Sequence, residues 1–298
     1  TPQVFALAVD PLNSNTVFAG LNGDGIFKTS NSGSSWSAAN TGLNALGVNA
    51  LLPLPNSTVL YAGTDNGIFK SADNGLTWSA SGLQDQTVIV EDLAFDPANP
   101  STLFAVTTFP GIYKSTDAGT TWSFLTFGTG LEAVAVDPTN SNVVYAGSYS
   151  GGGVLKSTDG GGSWSPVNTG LANLNVADLI FDPVHSQTLY AATYGGVFKS
   201  TNGGGSWTAV NTGLFNLNLR GVAVDPSNPN ILYAATTGGG LFRSSDGAAN
   251  WNEINNGLTN FYVFALVIDP NNPDTIYAGT NGGGVFISTN SGDRWEGY

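Results

Sequence analysis

The sequence predicts an all-β chain of seven equivalent sheets arranged in a ring, and three observations support this. First, the seven tryptophans (Trp36, Trp78, Trp122, Trp164, Trp207, Trp251 and Trp295) are spaced 42, 44, 42, 43, 44 and 44 residues apart. Second, each ends one eight-residue pattern, Ser/Thr-x-Asp/Asn-x-Gly-x-x-Trp, with small departures. Third, each period holds four short apolar runs separated by turn residues. A fixed period of this length marks a repeat architecture, with one four-stranded blade for about every 43 residues. The predicted fold is therefore a single seven-bladed β-propeller of four-stranded antiparallel blades, with blades over residues 1–44, 45–86, 87–129, 130–173, 174–216, 217–260 and 261–298.

The first blade supplies the template. Residues 4–9 read as the inner strand, and Asp10-Pro11 starts a turn because proline presets φ at the second turn position. Residues 16–20 form the second strand, 25–28 the third and 36–39 the outer one. The Asp-Pro turn recurs at Asp96, Asp137, Asp182, Asp225 and Asp269, whereas blade two has Pro53-Leu54-Pro55 in that place. In-register aromatics recur in the second strand (Phe18, Tyr61, Phe104, Tyr145, Tyr190, Tyr233, Tyr277) and in most third strands, as expected of core between blades. Lys28, Lys70, Lys114, Lys156, Lys199 and Arg243 share the register just before the box, with Ile287 in blade seven. That periodicity predicts a framework role, with the stem packed on the blade and the charge in solvent. Blade seven is expected to be built from the C-terminal segment alone. The ring would then close by side-chain packing, and pairing of residues 1–3 to blade seven would contradict this.

Between the third and outer strands, the box turn Ser115-Thr116-Asp117-Ala118-Gly119-Thr120-Thr121-Trp122 has a local logic. Asp117 can accept backbone N–H groups of its own turn. Gly119 can adopt a positive φ, which gives Trp122 a fixed place to bury its ring against the hairpin. Blade six departs, with Gly247-Ala248 following Asp246. With seven such boxes across its whole length, the chain resembles the Asp-box (BNR) repeat propellers. Those occur in sialidases, xyloglucan-type glycoside hydrolases, sortilin-like receptors and photosystem II assembly factors. The resemblance implies a fold and leaves the activity open, because these families share the repeat and differ in chemistry.

Composition narrows the function. Charged residues make up only 10% of the chain and the net charge is −13, which disfavours nucleic acid and anionic membranes as partners. No run of 18 apolar residues offers a transmembrane segment. The chain contains neither Cys nor Met. Thr1 is read as exposed by processing, a removed export signal being the simplest account, so the expected location is extracellular or periplasmic. Thiolate chemistry and His/Cys metal sites are excluded, and the sole histidine, His185, falls in the Asp182-Pro183 turn. No cofactor is expected. A calcium ion held by loop oxygens near Asn22 and Asp24 stays open as a weak signal, and Asn56-Ser57-Thr58 is a glycosylation sequon.

Propeller geometry puts the regular Asp-Pro and box turns on one face. The variable second-to-third loops and blade links lie on the other, around the channel mouth. Binding residues favour variable loops on a rigid scaffold. Aligning the inner strands exposes a variable position holding Phe5, Asn49, Glu91, Glu132, Ala177, Arg220 and Phe264, followed by Ala6, Ala50, Asp92, Ala133, Asp178, Gly221 and Ala265. Glu91, Asp92, Glu132, Asp178 and Arg220 are thus expected near the mouth, where the framework requires no charge. Phe109, Tyr149, Tyr194, Phe215, Phe261 and Tyr262 lie outside the repeat register on the same face, as a candidate surface for protein or sugar or as caps on the blade gaps.

A sialidase needs three converging arginines, and only Arg220 is suitably placed. A glycoside hydrolase needs two carboxylates across a cleft, which Glu91, Asp92, Glu132 and Asp178 could supply. Xyloglucan hydrolases, however, resemble two facing propellers. The leading expectation is an exported, non-catalytic binding or scaffold module for a protein partner or glycan. Carbohydrate-active enzyme and structural subunit of a larger extracellular or membrane-associated assembly are the alternatives.

Overall fold

A computed structural model describes residues 2–84 and 88–298. Seven four-stranded sheets follow one another in chain order, each running inner to outer as the chain does, and every pairing is antiparallel. Blade one comprises Val4–Val9, Val17–Leu21, Gly25–Thr29 and Ser37–Ala38. Six outer strands are two residues long, and that of blade three extends over Ser123–Phe127. The second strands are buried at every position in six blades because each is sandwiched between two neighbouring sheets. Their aromatics Phe18, Tyr61, Phe104, Tyr145, Tyr190, Tyr233 and Tyr277 form the inter-blade core. No helix among the described residues is long and apolar enough to cross a membrane.

The boxes behave as their chemistry dictates, with one correction. Asp117 Oδ1 accepts the Thr121 N–H at 2.8 Å, and Ser115 Oγ accepts the Gly119 N–H at 2.9 Å. Gly119 takes φ +80°. In blade six, Ala248 fills the glycine's place at φ +72°, and its N–H still reaches Ser244 Oγ at 3.0 Å. Trp164 stays with its own box, donating Nε1–H to the Gly161 carbonyl at 3.1 Å, but most of the tryptophans reach further. Five indoles donate Nε1–H to a carbonyl of the preceding blade, as Trp122 does to Ser81 and Trp207 to Val167. The box thus fastens one blade to the next.

The lysine register is corrected in the same sense. Its charge is held between blades and not released to solvent. Lys28, Lys70, Lys114, Lys156 and Lys199 each donate Nζ to a box carbonyl of the following blade (Asn74, Ala118, Gly160, Gly203, Gly247) at 2.7–3.1 Å. Each also lies 5.2–5.4 Å from the centre of its own blade's second-strand ring. A cation over an aromatic face with a carbonyl beyond it suits an ammonium's three donors.

Blade seven draws all four of its strands from the C-terminal segment, as expected. The expectation that residues 1–3 stay unpaired fails. Gln3 forms a bridge with Asn281 of blade seven, and Gly282 N–H donates to the Pro2 carbonyl at 3.0 Å. Ser14 Oγ also donates to Asp269 at 2.9 Å. Hydrogen bonds as well as packing therefore close the ring. The cause is general: the link entering an inner strand runs past the second-to-third loop of the blade before it, as the Asn22–Gly47 and Thr237–Tyr262 bridges show.

Candidate functional site at the channel mouth

Every inner strand carries a β-bulge near its start, and the bulged residue is the variable one. Phe5 is skipped between the pairs Val4–Leu21 and Ala6–Gly20, and Asn49, Glu91, Glu132, Ala177, Arg220 and Phe264 are skipped in the same way. A bulge re-aims the side chain it frees. All seven bulged residues line one cavity of about 500 Å³ at the channel mouth. Asp92 and Asp178, from the next position, line it too.

The charges form two kinds of contact. Arg220 of blade six reaches past blade five, whose bulged residue is the small Ala177, to Glu132 of blade four, with Nη1 2.8 Å from Oε1. The guanidinium lies 5.5 Å from the ring centre of Tyr194 and 5.1 Å from that of Phe264. Phe264 in turn packs on Phe5 with ring centres 5.4 Å apart. The two aspartates act across blade junctions. Asp92 Oδ2 accepts the Val134 N–H of blade four, and Asp178 Oδ2 accepts the Val222 N–H of blade six, both at 2.9 Å. Glu91 accepts the Thr108 hydroxyl at 2.6 Å.

Enclosure next to like charge shifts these acids upward. Burial, only partly offset by the Val134 N–H, lifts Asp92 to about 7, with the Asp178 and Glu91 charges adding to the rise. Burial lifts Glu132 to about 7 against the attraction of Arg220, and lifts Asp178 to about 6. Glu91 is raised for the same first reason. Glu132 Oε2 is sealed from solvent and has no hydrogen-bond partner among the described residues.

The structure gathers Glu91, Asp92, Glu132, Asp178 and Arg220, and sets Tyr194 against them. Tyr149 is half-buried. The remaining aromatics, Phe109, Phe215, Phe261 and Tyr262, are 43–66% exposed, and like Tyr149 and Tyr194 they do not line the cavity itself. Phe215 lies edge-on to Phe242, its ring centre 4.8 Å away, and so caps a blade gap. Asn22, on the same rim, donates its amide to Gln3, and Asp24 is exposed. No group of three or more His, Cys, Asp or Glu suited to a metal occurs among the described residues. His185 is exposed in its turn beside Asp182.

Sequence reasoning missed a second ring at the residue after each second strand. It holds Asn22, Asp65, Thr108, Tyr149, Tyr194, Thr237 and Asn281. Asp65 belongs to the site, since it lines the cavity and accepts the Asn49 amide at 3.0 Å. Aligning those loops on the preceding strand would have found it. At the other end of the channel, Pro11, Pro53, Pro55, Pro270 and Phe95 line an apolar recess of about 290 Å³.

No protein-family model matches the chain, and neither does any curated protein. Solved structures do. A GH74 xyloglucanase from Xanthomonas campestris superposes with a TM-score of 0.82 at 19% identity, covering 99% of this chain and 54% of the other. The chain shares the propeller fold. It spans about half the length of the GH74 chains it matches. YCF48 from Cyanidioschyzon merolae superposes with a TM-score of 0.70 at 16% identity over 96% of this chain and 95% of its own. A second YCF48 structure, bound to a D1 peptide, gives 0.72 at 18% identity over 97% and 92%. The extracellular domain of a proposed hybrid two component system from B. thetaiotaomicron gives 0.73 at 21% identity, covering 96% of this chain and 38% of the other. At these identities the likeness concerns the fold.

Proposed function

We propose that the chain is an exported, non-catalytic binding module that holds a segment of a protein partner over its channel mouth. One observation carries this reading. Seven bulged residues converge on a single cavity, yet each acid there is already committed. Asp92 and Asp178 are bonded to neighbouring backbone, Glu132 to Arg220 and Glu91 to Thr108. Such a surface offers shape, aromatic faces and fixed charge without a free nucleophile–base pair. Among the similar structures, two YCF48 structures have about this chain's length and one of them is bound to a D1 peptide, and extracellular domains among them support an extracellular or periplasmic setting.

The enzyme reading has one observation in its favour. Glu132 and Asp92 are pushed toward neutral pH, where a carboxylic acid can donate a proton. A peptide array and a glycan array, run beside a polysaccharide hydrolysis screen, separate the two. Peptide retention that falls at least tenfold in Arg220→Ala and in Tyr194→Ala, with no turnover, is the expected result. Turnover abolished by Glu132→Gln or Asp92→Asn would replace the binding account with the enzymatic one.

A further inference from the structure

The rim around the mouth is not uniform. Two successive blade links, those entering blades six and seven, expose Phe215, Leu217, Phe261 and Tyr262. The second-to-third loop of blade six lies between these links. Its Thr237 N–H donates to the Asn218 carbonyl at 2.8 Å, and its Gly238 N–H donates to the Phe261 carbonyl at 2.9 Å. Gly238 and Gly239 add no side chain there. A Cβ built on Gly238 would stand 3.7 Å from the Asn216 amide and from the Tyr262 ring. The loop therefore stays low and leaves the four apolar side chains standing in water as a shelf. Two residues beyond Tyr262 the chain enters the cavity at Phe264, whose ring packs on Phe5 and on the Arg220 guanidinium. The shelf thus continues into an aromatic wall. Apolar side chains clustered on a surface beside a cavity mark a place that another molecule covers.

Blades two and three, across the ring from blade six, supply carboxylates instead. Asp65 follows the second strand of blade two, Leu60–Thr64, and is exposed. Its Oδ1 accepts the Asn49 amide at 3.0 Å, and Gly47 makes room for it, since an added Cβ would collide with the carboxylate. Glu91 of blade three is raised first by burial, and the Asp65 charge adds to the rise. In all, Asp65, Glu91, Asp92, Glu132 and Asp178 line the cavity against the single cation Arg220. That cation is already paired with Glu132 and is held at the far wall by Tyr194 and Phe264. Asp92 and Asp178 are bound to backbone N–H groups of neighbouring blades. Asp65 and Glu91 are thus the acids that face a ligand. A positive group between them relieves their mutual repulsion, and the apolar stem that carries it suits an aromatic wall.

We propose that the partner segment is basic: a lysine or arginine side chain enters the mouth between Asp65 and Glu91, while apolar or aromatic residues beside it rest on the shelf of Phe215, Leu217, Phe261 and Tyr262. This rests on the reading that the mouth holds a partner polypeptide, and it names that partner's chemistry. Arg220 acts in it as a positioning residue, because its charge is spent on Glu132 and its plane keeps the two rings apart.

The test passes labelled heptapeptide pools over the immobilised chain. Each pool carries phenylalanine at varied positions and one fixed central residue: lysine, norleucine, which keeps the stem without the charge, or glutamate. The lysine pool should be retained at least about tenfold more than the norleucine pool, and the glutamate pool least of all. Raising salt from about 0.05 to 0.5 M should shrink the lysine preference on the wild-type chain. Asp65→Asn combined with Glu91→Gln should erase that preference. Phe261→Ala combined with Tyr262→Ala should weaken the lysine and norleucine pools alike. Equal retention of lysine and norleucine pools overturns the basic partner and leaves the mouth as a peptide site. A lysine preference that survives Asp65→Asn with Glu91→Gln overturns the placement of the cation. Failure of the wild-type chain to retain any pool overturns the peptide reading together with this one.

Discussion

The two rims of the propeller both carry carboxylates and treat them in opposite ways. On the box rim, Asp73, Asp117 and Asp159 each accept a hydroxyl, an N–H and a second hydroxyl from their own turn, which holds them at about 2. At the channel mouth, burial dominates and lifts Asp92, Glu132 and Asp178 to about 6–7. A carboxylate surrounded by donors in water stabilises the turn that bears it. One enclosed near other carboxylates works against the fold and persists only where the rest of the ring carries it. The box rim is therefore framework, and the mouth is where the scaffold accepts strain in favour of a surface.

The strongest challenge to this contrast comes from the framework side. Trp207→Ala removes a buried ring and its bond to Val167, and should lower unfolding stability by about 3–5 kcal/mol in a urea titration. An effect below about 1 kcal/mol would mean that the boxes are not what fastens the blades.

At the mouth, Arg220→Ala strands Glu132. With Arg220 a third exposed, the loss should be only about 1–2 kcal/mol. Adding Glu132→Gln should recover part of it, and a double-mutant cycle showing no coupling would remove the pair from the account. A smaller effect is expected from the staples. Lys114→Ala loses one hydrogen bond and one ring contact, about 0.5–1.5 kcal/mol by the same titration.

The subtlest test is pH. The mouth acids have folded pKa values above their unfolded ones, so the stability tied to their protons is full below about pH 4 and is lost as pH rises through about 6–7. The box aspartates act oppositely, since their contribution is present above about pH 4 and is lost as pH falls toward about 2. The thermal midpoint should therefore peak at about pH 4–5. Asp92→Asn with Asp178→Asn should flatten only the limb between about pH 4 and 7. A limb of unchanged slope would show that these acids titrate normally.

What the sequence made legible follows the range of the forces involved. The boxes are local devices of Ser, Asp, Gly and Trp within eight residues, so seven sheets could be read directly from their period. The ring of variable residues was legible because a repeat makes departures visible, as with Arg220 opposite Phe5 in the alignment. The contacts between blades were not. Lys114 reaches Gly160, Trp122 reaches Ser81 and Asp92 reaches Val134 over about one repeat of sequence, a separation that no local pattern encodes. The bulges escaped notice because one extra residue leaves the apolar alternation nearly intact. Asp65 was not legible because its loop meets the cavity only through the packing of neighbouring blades.

The claim that the mouth, and not the box rim, is the recognition surface is tested most directly by partner retention from the native source. Wild type, Arg220→Ala and the box variant Asp117→Asn would be compared side by side. Retention lost in Arg220→Ala and kept in folded Asp117→Asn is the result this account predicts. Retention kept in Arg220→Ala and lost in the box variant would contradict it.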